Sequence, residues 1–269
     1  MAAQGGANNE VDLLVAEGRR QNLGFVVTFD WYTPRPHFVI VPRFSEFGFH
    51  PTTPLPVYGD DFLKNLLLAA ESTVNVLANS PKLVTFSVHR GQWISGREFH
   101  AHVCVDSAAY LDKYHRHLDL IRNRKPGWPE GYQTGQWERG RTYEQCVAGY
   151  PPARKNYFGD EVKTISTGGG VDFSFSPLNR VELTRVVFHP TLARIGFRGS
   201  AGAAANCIDA KLNLLKEMEQ FATNRRLAAS EADSRLGKDN GGCHLCLSFG
   251  GGNHSVEVIL SAFECITAY

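Results

Sequence analysis

From Glu98 to Val105 the chain alternates: Phe99, Ala101, Val103 and Val105 fall on one side, and Glu98, His100, His102 and Cys104 on the other. Successive side chains of an extended chain point to opposite faces, so this pattern predicts a β-strand with one face packed and the other carrying chemistry. The second face presents two imidazoles and a thiol in a row, spaced so that neighbouring groups meet one substrate phosphate. Imidazole has the unperturbed pKa nearest neutrality, so such a row suits nucleophilic attack or proton transfer.

The segments around this strand supply the rest of a sheet. Val11 to Asn22 has a short helical pattern. Leu23 to Tyr32 and His37 to Val41 are rich in Val, Ile, Phe and Tyr, and Pro34 and Pro36 punctuate the turn between them, which predicts a hairpin. Phe44 to Tyr58 reads as a proline-bearing loop. A helix capped by Asp60 or Asp61 then runs to about Ala78, with Phe62, Leu66, Ala69, Ala70, Thr73, Val76 and Leu77 as its apolar stripe, and Pro81 stops it. Leu83 to Val88 is the third strand, His89 to Gly96 a turn, and Glu98 to Val105 the fourth. The unit is ββαββ.

Ser95-Gly96-Arg97-Glu98-Phe99-His100-Ala101-His102-Val103-Cys104-Val105-Asp106 resembles the His-φ-His-φ-His-φ-φ signature of the histidine-triad (HIT) superfamily. Upstream, Arg35-Pro36-His37-Phe38-Val39-Ile40-Val41-Pro42-Arg43 resembles that family's H-φ-φ-φ-φ-P-R/K strand, so the likeness covers residues 23 to 106. Cys104 stands where the third His belongs; the branch that transfers nucleotidyl groups also departs there, carrying Gln. The resemblance implies that His102 is the nucleophile that attacks an α-phosphate and holds the nucleotidyl group covalently, dividing the displacement into two steps. His100 then positions that ring or the phosphate, and Cys104 faces the oxygens of the scissile bond. A thiol is a weak donor, so Cys104 implies slower or redirected chemistry. His89, Gln92, Ser95 and Arg97 are implied phosphate-binding residues, Arg97 through its planar fork, and His37 and Arg43 are implied to face a nucleoside pocket.

Charge restricts the partners. The 269 residues carry a formal net charge of +1, which gives no global electrostatic case for nucleic acid or an anionic membrane, so any phosphate affinity is local. The expected partner is a nucleotide or nucleotide conjugate; oligomeric state is left open. Met1 to Glu10 is polar and reads as a loose terminus, not a signal peptide, and no apolar run approaches bilayer-spanning length. Six cysteines, unevenly placed, favour reduced thiols in a cytoplasmic or nuclear setting. No cofactor and no metal is expected. Cys243-His244-Leu245-Cys246 has the spacing of half a zinc site, but a structural site needs four ligands, and on a strand Cys243 and Leu245 share one face while His244 and Cys246 share the other.

Ser107 to Arg124 reads as a helix capped by Asp106 or Ser107 with basic residues in its last turn. Residues 125–160 lack periodicity and form a lid or linker, whose Trp128, Tyr132, Trp137, Arg139, Arg141, Tyr143, Arg154 and Lys155 either suit base stacking and phosphate contact or belong to a crossover that packs its aromatics against the body. Beyond it the grammar recurs: strands at Val181 to Phe188 and Leu192 to Arg198, a helix over Ala203 to Ala229, and strands at Cys243 to Phe249 and Ser255 to Phe263. The chain is therefore expected to be an α+β protein of two ββαββ halves with antiparallel sheets. Its divisions are an N-terminal tail and short helix (1–22), a HIT-like domain (23–124), a lid or linker (125–160) and a second α+β half (161–269). The strand matching His100 and His102 in the second half has no histidine pair, which makes that half a degenerate copy.

Two other readings compete with a HIT-like hydrolase or nucleotidyltransferase. His189-Pro190-Thr191-Leu192 resembles the His-φ-Thr-φ tetrad of 2H phosphoesterases, whose partner tetrad here would start at His102 or His244 and has Cys in place of Thr. The chain is alternatively a non-catalytic nucleotide-sensing or protein-interaction module. A pair of histidines at the floor of an open cleft favours the enzyme; His189 facing His102 or His244 favours the phosphoesterase.

Overall fold

The computed structural model describes residues 10–19, 23–30, 34–43, 53–79, 84–91, 99–124, 141–149, 163–166, 172–177, 183–189, 242–249 and 255–261, together with helical residues 208–209, 211–213, 215–216 and 219–220. Nine strands, all paired antiparallel, form one sheet: β1 (Phe25–Phe29), β2 (His37–Pro42), β3 (Val84–Gly91), β4 (Ala101–Cys104), β5 (Lys163–Ser166), β6 (Asp172–Pro177), β7 (Leu183–His189), β8 (Gly242–Phe249) and β9 (Ser255–Ser261). Their spatial order is β1-β2-β4-β3-β8-β9-β7-β6-β5. With its helices this is an α+β architecture.

Register assigns the two faces. Val27 opposes Ile40, Phe29 opposes Phe38, Phe38 opposes Val103, and Val103 opposes Phe86. These residues, with Phe25, Ala101, Val88 and Leu245, are buried on one face in a single apolar cluster. Covering that cluster is the helix α2 (Asp60–Thr73), which buries Leu63, Leu66, Leu67, Ala69, Ala70 and Thr73. A π-helical turn, Val74–Ala78, continues it and buries Val74 and Leu77. The helix begins at Gly59, whose φ of 82° is accessible to glycine without a Cβ clash. No side chain caps it: Asp60 and Asp61 sit in the first turn, where the positive end of the helix dipole favours them, instead of at the cap position.

A second group of helices packs on the same apolar cluster. α3 (Ser107–Arg116) is capped by Asp106, whose carboxylate accepts from the Ala109 N–H at 3.3 Å, and the expected continuous helix breaks at His117 before α4 (Leu118–Arg124). Tyr110 packs edge-on to Phe29 at 5.3 Å, and Tyr114 stacks on Tyr143 at 5.0 Å. Tyr143 opens α5 (Tyr143–Ala148), a helix within the stretch expected to be irregular. Its start is a reciprocal cap: the Gln145 N–H donates to the Thr142 hydroxyl at 3.2 Å, and the Thr142 N–H donates to the Gln145 side-chain carbonyl at 2.9 Å. Tyr143 is fully buried, so it belongs to the core and offers no stacking platform for a base. At the N-terminus the expected helix is shorter, α1 (Leu13–Ala16), capped by Asp12.

The helical residues between 208 and 220 run antiparallel along α2. Lys64 pairs with Asp209 at 2.7 Å, Lys216 pairs with Asp60, and Lys211, with no exposed surface, pairs with Glu71. The Glu219 carboxylate accepts the Leu55 N–H at 2.6 Å. Leu212 and Leu215 join the core, so this segment and the first 124 residues share one hydrophobic interior. In the second part of the sheet two strands stand where none was expected: β5 and β6 precede β7, and β6 pairs with it, whereas the strand expected at 192–198 lies outside the described residues.

Candidate functional site

Opposite the apolar face, the same registers collect polar groups. Thr28, Val39, His102, Ser87, Cys246 and Glu257 form one row across β1, β2, β4, β3, β8 and β9. In the next row His37 opposes Cys104, Cys104 opposes Thr85, and Thr85 opposes Ser248. The Asp30 N–H donates to the His37 carbonyl at 3.1 Å, which extends the β1–β2 ladder by one position and puts Asp30 beside His37 on this surface. On the far side of His102, His89 opposes His244, and continuing the β3–β4 register by one position brings His100 into the same row. His37, His100 and His102 thus share one surface of the sheet, and the backbone positions of residues 89 and 244 fall in the row of His100.

The best-defined part of this surface is a buried triad. The His37 and His102 rings lie 5.5 Å apart, and His100 and His102 5.1 Å apart, both edge-on. His37 and His102 are 2% and 3% exposed, and Asp30 is 4% exposed. One donor atom from each of Asp30, His37 and His102 lies within 4.8 Å of the other two. His100, at the entrance to β4, is only half-buried. The cluster therefore reaches the surface on the His100 side.

Each member is held by backbone or by a charge. Arg35 Nε donates to Asp30 Oδ2 at 2.6 Å, with both side chains 5% exposed, which compensates the carboxylate's loss of hydration. Ahead of β2 the His37 N–H donates to the Arg35 carbonyl at 2.7 Å. From the apolar side, the Tyr143 hydroxyl donates to the Asp30 carbonyl at 3.2 Å and accepts from the Tyr110 hydroxyl at 2.7 Å. Burial pushes both hydroxyls well above the ordinary phenol range, so they remain neutral donors. The triad thus rests on three neighbouring strands and on core aromatics.

No family model, curated protein or solved structure matches the chain. The site stands on its own geometry.

Of the residues expected to form the site, the structure brings His37, His100 and His102 together and places Cys104, a buried thiol, in the adjoining row. His89 lies on β3 instead of in a turn, since that strand runs on to Gly91. Arg43 is not brought to the imidazoles: it follows β2 at the end opposite His37, about 20 Å away at strand rise, and pairs with Asp12 at 2.6 Å. Gln92, Ser95 and Arg97 fall outside the described residues, as do Trp128, Tyr132, Trp137, Arg139, Arg154, Lys155 and Pro190 to Leu192. Arg141 is exposed beside the cap of α5. His189 ends β7, four strand positions from β4, about 19 Å along the sheet, so it does not face His102 across a common site. Cys243 to Cys246 lie on β8, and of their side chains only that of Leu245, in the core, is among those described.

The residue that sequence reasoning missed is Asp30. It closes an apolar run and reads there as a strand end. Its signal is Arg35 five residues on, across a turn stiffened by Pro34 and Pro36, a spacing that lets the two charges meet at the base of a hairpin. Among the described residues, no helix is long and apolar enough to cross a membrane.

Proposed function

We propose that this chain is a HIT-like nucleotide-binding phosphohydrolase or nucleotidyltransferase in which His102 forms a covalent bond to the substrate's α-phosphorus. The observation that carries the reading is the grouping of His37, His100 and His102 beside the Asp30 carboxylate on one sheet surface. An attacking imidazole needs one ring nitrogen presented to phosphorus and its orientation fixed by neighbours. Edge-on contacts from His37 and His100, and the buried carboxylate, support that role for His102. His102 is 3% exposed and not at the floor of an open cleft, so attack on phosphorus requires the phosphate to enter beside the half-buried His100.

The arrangement of strands supports a duplicated architecture in the same reading. The first four strands are ordered β1-β2-β4-β3, and the last four of the sheet, read from the other edge after β5, are β6-β7-β9-β8. The two sets meet at β3–β8, where Thr85 opposes Ser248 and Gly91 opposes Gly242 about the central pair Val88 and Leu245. Superposing one set on the other through that centre makes Glu257 the counterpart of His100, Ile259 of His102, and Ser261 of Cys104. The second half then has no nucleophile and serves to complete the sheet.

The test is incubation of the full chain with nucleotides and dinucleoside polyphosphates in the presence of a chelator, followed by intact-mass spectrometry. A nucleotidyl adduct, or turnover, that His102→Ala abolishes is the expected result. Nucleotide binding without adduct or turnover would favour the sensing module.

A further inference from the structure

We propose that Asp30, His37 and His102 form a binding site for a divalent transition-metal ion of the zinc class. Two imidazoles and one carboxylate are the donor set of an open, three-ligand site, in which the remaining position is taken by water or a ligand. Oxygen-preferring ions such as Mg²⁺ and Ca²⁺ are disfavoured by two nitrogen donors, whereas Zn²⁺ and Co²⁺ accept them. The three donors converge to within 4.8 Å. Tetrahedral bonds of about 2.0–2.1 Å put donors about 3.3 Å apart, so binding draws the widest pair in by at most about 1.5 Å. Binding therefore requires the Asp30 and His37 side chains to turn inward by a movement of that size.

Three further observations fit a metal better than a packed polar cluster. The triad comes from the end of β1, the start of β2 and the middle of β4, so its backbone is fixed by the ladder, including the Asp30 to His37 hydrogen bond of 3.1 Å. Ligating carboxylates are characteristically oriented by an outer partner, and Arg35 supplies one to Asp30 at 2.6 Å while its guanidinium limits the electrostatic isolation of the site. The ion also has an entry, because the half-buried His100 ring lies 5.1 Å from His102.

This inference goes beyond the phosphate chemistry and does not depend on it. A His102 nitrogen bound to a metal has no lone pair for phosphorus, so the metal-loaded and nucleotidyl-carrying forms exclude each other if both exist. Metal binding is measured without nucleotide and adduct formation with chelator, so either can fail alone.

The full chain, stripped with a chelator and dialysed, is titrated with Co²⁺ followed by visible absorption, and with Zn²⁺ followed by equilibrium dialysis. One ion per chain with the intense visible bands of four- or five-coordinate cobalt is expected. His37→Gln, His102→Gln and Asp30→Asn should each weaken binding by more than the about 10–100-fold typical of losing an outer partner, and Arg35→Lys should fall in that lower range. His117→Gln, at a histidine paired with Glu17, should bind as the wild type does. No stoichiometric ion in folded wild-type protein overturns the proposal, as does binding retained by the three ligand variants. Should those variants unfold by circular dichroism, zinc X-ray absorption on the wild type decides: two imidazoles in the first coordination sphere are expected, and none, or a sulfur-dominated sphere, overturns it.

Discussion

Replacing Tyr143 by Phe removes one hydroxyl that serves two buried hydrogen bonds, as donor to the Asp30 carbonyl at 3.2 Å and as acceptor from Tyr110 at 2.7 Å. Removing one partner of a buried hydrogen bond costs about 1–3 kcal/mol, because the group left behind has lost its water as well. The longer bond to Asp30 is the weaker of the two, so the expected loss is about 2–4 kcal/mol. Tyr110→Phe is milder, about 1 kcal/mol, since Tyr143 still donates to Asp30. In the double variant no Tyr110 hydroxyl remains to be deprived of its acceptor, so the two losses do not add; the coupling should be about 1 kcal/mol. Urea unfolding followed by far-ultraviolet circular dichroism measures all four proteins. A Tyr143→Phe loss under about 0.5 kcal/mol, or additivity within that margin, would show that the hydroxyl chain does not fasten α5 to the triad. The same pair sets an alkaline limit. Burial raises both hydroxyls above the usual phenol value, so the unfolded chain ionises first. Their contribution is intact below about pH 10 and is lost as pH rises from there toward their folded values. The double Phe variant should lose that part of the alkaline slope.

Other outcomes follow from the ion pairs. Glu71→Gln leaves the fully buried Lys211 ammonium without its carboxylate and should cost more than Lys211→Met, which leaves Glu71 with a side chain 21% exposed; about 3 kcal/mol against about 1–2 kcal/mol is expected in urea titrations. Equal losses would count against this pair as the clamp on α2. Glu17 is desolvated by burial, which raises its pKa, but His117 and Lys113 outweigh that and hold it below the usual carboxylate value. Its contribution is therefore complete above about pH 4.3 and is lost as pH falls through the lowered folded value. Thermal melts of Glu17→Gln and wild type between pH 3 and pH 6 should converge at the acid end, and a constant gap would refute the assignment.

The imidazole strand was the most legible part of the chain, because period-two alternation and a register fixed by a buried face leave one arrangement for His100, His102 and the packed Ala101 and Val103. The α2 stripe was legible for the same kind of reason. Asp30 was not, because its partner Arg35 becomes a neighbour only once the hairpin closes. The Thr142 cap had a readable signature in Gln145 three residues on, but it stands beside a stretch rich in Gly, Trp and Arg that hides a six-residue helix. Pairings in the second half depended on which of several short alternating segments meet. Local pattern does not encode that choice, and β6, in a stretch where no strand was expected, pairs with β7.

The β3–β8 ladder has a consequence for synthesis. Val84 pairs with Phe249 and Gly91 with Gly242, so more than half of the 269 residues separate the two strands. At a translation rate of about 5–20 residues per second, β3 waits on the order of ten seconds or longer for its partner. Throughout that interval a nascent chain displays an apolar strand margin with unclaimed amide and carbonyl groups, a template for whatever extended segment arrives first.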